Sequence, residues 1–179
     1  MKIFIGCSSS NEISEEYKVV TKYLADTLST YNDLVFGCTN RGLMGVCYNS
    51  FLNNNRHITG ICYEMYKDDL EGLKIDDLYM VKTLDESTKT LEDKSDIILF
   101  LPGSFGTLSE LMYIVESKRT NIHDKDIIIF NVNGFYDDLL NMYYKIHDKV
   151  SENYDIKKLC KIYNTVDEVN NYIKEKSSN

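Results

Sequence analysis

One hundred and seventy-nine residues, 43% of them apolar, suffice for one compact domain and are too few for two ordinary ones, so the chain is read as a single domain over 1–179. A charged fraction of 27% with 12% aromatics excludes a disordered chain, and five cysteines with no Cys-x-x-Cys pair exclude a disulfide scaffold. Twenty Lys plus Arg against twenty-eight Asp plus Glu give a net charge of −8 and a pI near 4.9, which disfavours nucleic acid and anionic membrane as partners and favours small ligands or proteins.

The N-terminal MKIFIGCSSS is too short in apolar residues for a signal-peptide core, and no apolar run approaches the roughly 20 residues of a membrane span. A soluble, cytoplasmic protein is expected. Cys7, Cys38, Cys47, Cys62 and Cys160 read as buried free thiols, and His57, His123 and His147 are scattered, so neither a metal nor a cofactor is expected.

Along the chain, short β-rich runs alternate with helical segments. Lys2 to Ile5 reads as a strand ending at Gly6 and a serine loop. Glu15 to Leu28 places Tyr17, Val20, Leu24 and Leu28 at steps of three or four, an amphipathic helix with Ser14 as its expected N-cap. Leu34 to Phe36 is the second strand, Gly42 to Leu52 a helix and Ile58 to Cys62 the third strand. Tyr63 to Asp77 has no clear period and reads as a loop with local turns before a strand at Tyr79 to Val81.

Leu84 to Lys94 is a polar helix, Ile97 to Leu101 an apolar strand, and Thr107 to Arg119 a helix with Leu108, Leu111, Met112 and Val115 on its core face. Ile127 to Phe130 is a strand, Gly134 to Val150 a helix, Ile162 the centre of a short strand, and Val166 to Lys174 the last helix. Strands with consecutive apolar residues belong to sheets covered on both faces, which implies parallel strands and crossover helices. The expected fold is a Rossmann-like, doubly wound α/β sheet in three layers.

Ligands of such sheets bind beyond the carboxyl ends of the strands, where three loops are rich in small residues. The first holds Gly6, Ser8, Ser9 and Ser10. The second, GCTNRGLMG, runs from Gly37 to Gly45. Its Gly37-x4-Gly42 has Walker A spacing, but Leu43 and Met44 stand where Lys and Ser or Thr are required, and G-x-G-x-x-G is absent. A P-loop NTPase is excluded and a dinucleotide dehydrogenase disfavoured. The loop is either a tight strand-to-helix turn or a wrap for a mononucleotide.

The third loop, LPGSFGTLSE from Leu101 to Glu110, is the sharpest signal. Pro102 is the only proline, where average usage would supply about nine, and it follows an apolar strand directly. Gly103, Ser104, Phe105 and Gly106 let backbone N–H groups approach an anion, and a helix opening near Thr107 adds its unpaired donors and positive dipole end. Glu110 is placed in the first turn, ionised by the dipole. It either complements that dipole or serves as a carboxylate beside a bound phosphate ester.

The strand ending in Gly-Cys-Ser-Ser, the GLMG at 42 to 45 and the Ser95-Asp96 strand followed by PGSFGTLSE resemble the Lonely Guy family, whose hallmark is P-G-G-x-G-T-x-x-E. Pro102, Gly103, Gly106, Thr107 and Glu110 match, and Ser104 replaces the second glycine. Residues 122 to 140, IHDKDIIIFNVNGFYDDLL, resemble the family's H-D-K-P strand and G-[YF]-Y-D-x-L-L helix start.

The resemblance implies a homodimer that hydrolyses the N-glycosidic bond of a nucleoside 5'-monophosphate to free base and ribose 5-phosphate. Glu110 would be the catalytic carboxylate, and Ser8, Ser9, Gly37, Gly42, Gly103, Ser104, Phe105, Gly106 and Thr107 the phosphate- and nucleotide-binding positions. The family's Arg-Lys pair aligns with Ser87 and Thr88, so Lys89, Arg41 and Arg119 are the candidates to supply the missing cation. A nucleotide-binding sensor or scaffold without catalysis is the alternative to the hydrolase. Tyr113 and Ile114, off the core face of the motif helix, are the apolar surface expected to favour a dimer.

Overall fold

The computed structural model describes residues 1–151 and 155–177. Its centre is a parallel sheet of seven strands: β1 (Lys2–Gly6), β2 (Asp33–Phe36), β3 (Ile58–Tyr63), β4 (Asp77–Val81), β5 (Ile97–Phe100), β6 (Asp126–Phe130) and β7 (Cys160–Tyr163). They lie in the order β4-β3-β2-β1-β5-β6-β7, and every pairing is parallel. The helices are α1 (Glu15–Leu28), α2 (Gly42–Asn53), α3 (Leu84–Asp93), α4 (Phe105–Arg119), α5 (Asp137–Lys149), the single turn α6 (Ile156–Leu159) and α7 (Val166–Ser177). The doubly wound α/β architecture read from the sequence is the one observed.

Alternation along the strands divides the core in two. Ile3 and Ile5 of β1 and Ile128 and Phe130 of β6 pack under α1, α2 and α7, through Leu24, Leu28, Leu43, Phe51, Val169 and Ile173. Phe4, Ile127 and Ile129 point the other way, toward Leu91 of α3, Leu111, Ile114 and Val115 of α4, and Leu140 and Tyr143 of α5. Both faces of the sheet are dry, which is why its central strands carry apolar residues at successive positions.

Several local expectations are corrected. Ser14 precedes α1 but its hydroxyl caps no backbone N–H; it lies 3.4 Å from Glu16 Oε1 instead. The helix expected from Gly134 starts at Asp137 instead, after a tight turn over Val132–Gly134 in which Asn133 and Gly134 have φ of 53° and 72°, left-handed values that keep both residues out of a right-handed helix. The irregular stretch after β3 has the local turn structure expected of it, as a 3₁₀ segment at Glu64–Leu70. On α4 the core stripe is Leu111, Ile114 and Val115, at steps of three and one, whereas Met112 is 46% exposed. Ile114 thus belongs to the core and Met112 to the surface, the reverse of the sequence reading.

Candidate active site

β1 and β5 are neighbours, yet the chain leaves β1 toward β2 on one side and β5 toward β6 on the other. The crevice at their carboxyl ends is the switch point where open α/β sheets bind ligands. All three small-residue loops meet there through main-chain hydrogen bonds. Leu101 N–H donates to the Gly6 carbonyl (2.9 Å), Ser8 N–H to the Pro102 carbonyl (3.0 Å) and Met44 N–H to the Ser8 carbonyl (3.2 Å). Pro102 accepts from Ser8 but has no N–H of its own to donate, so the ladder goes no further and the chain is released into the third loop.

Gly42 joins the first two loops at close range. Its φ is +56°, and a Cβ there would stand 2.6 Å from the Ser8 carbonyl oxygen and 2.7 Å from that of Ser10. Its N–H donates to Asn11 Oδ1 at 3.0 Å. The glycine of the second loop therefore serves a tight junction against the serine loop. Ser8 is buried there, with its hydroxyl accepting Ser10 N–H, whereas Ser9 is exposed and Gly37 half-buried, with its nearest approach from the Met44 side chain.

α4 begins at Phe105, two residues earlier than the sequence suggested. Ser104 occupies the cap position with extended backbone, but its side chain accepts no N–H. The first helical bond runs from Leu108 N–H to the Ser104 carbonyl at 2.9 Å, so the N–H groups of Phe105, Gly106 and Thr107 are left as open donors. Helix α3 shows the alternative, with the Thr83 hydroxyl accepting Glu86 N–H. Above Gly106 the space is empty to 4 Å from where a Cβ would stand, while at Gly103 a Cβ would strike the side chain of buried Thr107. Gly106 keeps the approach to the donors open, and Gly103 lets the loop close over Thr107. Ser104 and Phe105 are exposed on the rim, Phe105 to 91%.

With the helix starting at Phe105, Glu110 lies in its second turn, beyond the strongest part of the dipole. Burial pushes its carboxyl up to about 7 from an ordinary 4.5, so the expectation of a dipole-ionised carboxylate is corrected. At neutral pH Glu110 is poised between acid and carboxylate, while its side chain keeps some exposed surface in the crevice. Its charge adds to the upward shift of the Cys7 thiol at the end of β1 and of the Tyr136 hydroxyl, so the three side chains lie near one another. Contact with the Cys47 thiol and burial push the Cys7 thiol well up, leaving it inert.

The three candidate cations are not equally placed. Lys89 Nζ sits 2.9 Å from Glu92 Oε1 and 2.6 Å from Asp93 Oδ1, on α3. Arg119 pairs with Glu116 at the far end of α4, about 21 Å along the helix from Phe105. Arg41 directly precedes Gly42, with Nε donating to Thr39 Oγ1 at 3.2 Å and Nη2 2.5 Å from Asp69 Oδ2. Of the three, Arg41 is the one beside the joined loops within a single chain. Sequence reasoning assigned no role to Asn131 or Tyr136, buried residues that are bonded to each other and, through the Tyr136 hydroxyl, to the Leu101 carbonyl; the signal that pointed there was the Gly134-Phe135-Tyr136-Asp137 match. All five cysteines are free and buried, and no group of three or more His, Cys, Asp or Glu among the described residues is placed to hold a metal. No described helix is long and apolar enough to cross a membrane.

Comparison with known proteins gives the family and the fold. The protein-family model described as "Possible lysine decarboxylase" matches residues 44–173. Cytokinin riboside 5'-monophosphate phosphoribohydrolases LOG1 and LOG2 of Arabidopsis thaliana are 31% and 32% identical over 141 and 149 residues, covering 78% and 82% of this chain and 65% and 69% of theirs. The probable enzyme LOGL6 of Oryza sativa subsp. japonica is 30% identical over 142 residues, 78% of this chain and 57% of its own length. The chain thus spans 57–69% of the length of these relatives. Among solved structures, a Moco carrier protein from Chlamydomonas reinhardtii superposes with a TM-score of 0.70 at 12% identity, covering 97% of this chain and 95% of its own. The molybdenum cofactor binding protein from Rippkaea orientalis gives 0.69 at 15%, with the same coverage. At these identities the two structures speak to the fold alone. The Pro102–Glu110 motif lies inside the matched region, and the chain belongs to the Lonely Guy family.

Proposed function

We propose that the protein hydrolyses the N-glycosidic bond of a nucleoside 5'-monophosphate, yielding free base and ribose 5-phosphate. The observation that carries this reading is the uncapped start of α4, with open donors at Phe105, Gly106 and Thr107, one helical turn from a Glu110 whose carboxyl titrates near 7. The 5'-phosphate is held at the helix start. Glu110 in its acid form gives its proton to the departing base as the C1'–N bond breaks and the bonding electrons pass to that nitrogen. The resulting carboxylate then faces the oxocarbenium-like ribose, and a water adds at C1' while Glu110 recovers a proton. No cofactor enters these steps. The names of the Arabidopsis thaliana relatives point to the same reaction class. Calorimetry tests the anchor: AMP is expected to bind at least tenfold more tightly than adenosine, a difference of about 1.4 kcal/mol, and equal affinities would place the ligand elsewhere.

A nucleotide-binding sensor without turnover is favoured by one observation, the Ser87 and Thr88 that stand where the family has Arg and Lys. Thr88 is buried with its hydroxyl bonded to the Leu84 carbonyl, so Thr88→Lys is excluded as a repair; Ser87 is only half-buried, so Ser87→Arg is the variant to test. In the hydrolase reading Arg41 supplies the cation, exchanging Asp69 for the substrate. Arg41→Ala is then expected to slow base release by roughly 10²–10³-fold, the usual cost of losing one electrostatic partner of a developing charge, and Ser87→Arg to add little. A large gain from Ser87→Arg with no loss from Arg41→Ala would show that the position is vacant.

The assembly we infer is a homodimer. Met112 and Tyr113 on α4 and Met142 on α5 are 46%, 38% and 54% exposed, and the Tyr143 hydroxyl, 2.7 Å from Met112 Sδ, ties these helices into one surface. An apolar ridge of this kind favours burial against a second copy. Light scattering at micromolar concentration is expected to give twice the chain mass; a monomer would refute the assembly.

A further inference from the structure

We propose that Tyr136 is a positioning residue for the phosphate loop, and that the Gly134-Phe135-Tyr136-Asp137 segment exists to deliver its hydroxyl to the Leu101 carbonyl. This inference rests on the hydrolase reading of the crevice. Tyr136 is 1% exposed, and its hydroxyl donates to the Leu101 carbonyl at 2.6 Å. That carbonyl belongs to the peptide joined to Pro102, the last point before the third loop departs. The same two residues are held from the other side, by Leu101 N–H on the Gly6 carbonyl and by Ser8 N–H on the Pro102 carbonyl. Tyr136 supplies the one side-chain bond in this set and comes from a different strand's loop, so it fixes the height of the Gly103–Thr107 donors above the crevice floor.

The segment is built around that task. Asn131, directly after β6, accepts Tyr136 N–H on Oδ1 at 2.7 Å and donates from Nδ2 to Asp137 Oδ1 at 2.8 Å. Asn133 and Gly134 turn the chain through two left-handed residues, and a Cβ at Gly134 would stand 2.6 Å from Asp137 Oδ2. Phe135 packs edge-on against the Tyr136 ring at 4.9 Å and against Tyr17 at 5.6 Å. The ring is thereby located by packing and its hydroxyl by one bond, so Tyr136→Phe removes the bond while keeping the ring. Tyr143, a second buried tyrosine on the same sheet face, has its hydroxyl on Met112 Sδ instead of on the third loop and serves as control.

The experiment measures AMP and adenosine affinity by calorimetry, with thermal midpoints, for wild type, Tyr136→Phe and Tyr143→Phe. Loss of the hydroxyl is expected to weaken AMP about five- to tenfold, the scale of one hydrogen bond, with adenosine unchanged and with Tyr143→Phe leaving both ligands unchanged. A loss of AMP and adenosine alike, a Tyr136→Phe protein that binds AMP as wild type does, or one that does not fold would each overturn the positioning role. A wild type that fails to prefer AMP over adenosine would instead overturn the phosphate-anchored reading itself, so the two failures are distinguishable.

Discussion

Glu110→Gln is expected to cut base release by roughly 10²–10⁴-fold, the range that a positioned general acid contributes, while leaving AMP affinity nearly intact because the phosphate is held by backbone donors. The same variant changes stability with pH in a defined direction. Burial raises the folded-state pKa of Glu110 to about 7, above an ordinary value of 4.5, so the folded protein retains a proton that the unfolded chain has lost. The stabilisation relative to the ionised state is full below about pH 4.5 and is lost progressively as pH rises to about 7. Glutamine carries no such proton. Thermal midpoints of Glu110→Gln measured from pH 4 to 8 should therefore gain on wild type across that window and stay ahead above it. Parallel curves would show that Glu110 is solvated and not poised as described.

Gly106→Val is expected to weaken AMP binding by about tenfold to a hundredfold, the cost of losing one hydrogen bond to a charged group at about 1.5–3 kcal/mol. Apart from its chain neighbours and the helix's own backbone, nothing lies within 4 Å of the new Cβ, so the side chain stands in open space beside the α4 donors. Replacing glycine in the first turn of a helix also restricts the unfolded chain, and the thermal midpoint should hold or rise. Gly103→Val is the contrasting variant: its Cβ meets the Thr107 side chain, and the midpoint should fall. Calorimetry and thermal unfolding on the pair separate a glycine that keeps a site open from one that lets a loop pack. Unchanged AMP affinity in Gly106→Val would remove the α4 start as the phosphate site.

The sheet was legible in the sequence because its strands are dry on both faces; runs such as Ile97 to Phe100 and Ile127 to Phe130 have no other economical use. Helix starts were less legible, since Ser14 has a capping side chain that does not cap, and Phe105 and Gly106 are poor helix formers that nonetheless open α4. The core face of α4 was misread for a related reason. Methionine and isoleucine are both apolar, and only the true phase of the helix shows that Ile114 enters the core while Met112 faces out. At the site, spacing identified Gly103, Gly106 and Glu110, but the pKa of Glu110 depends on what buries it, which no local pattern encodes. The junction of Gly42 with Ser8 and the reach of Tyr136 to Leu101 are contacts between residues 34 and 35 positions apart. Such long-range meetings follow from strand order, not from any motif of either segment alone.

The most direct test of the central claim is chromatography of AMP, CMP, GMP and isopentenyladenosine monophosphate after incubation with the wild-type protein and with Glu110→Gln. Free base and ribose 5-phosphate in equal amounts from at least one monophosphate, absent with the corresponding nucleoside and reduced to background by Glu110→Gln, is the expected result. Tight binding of a monophosphate with no base released from any of the four would contradict hydrolysis and leave the nucleotide sensor as the function of this fold.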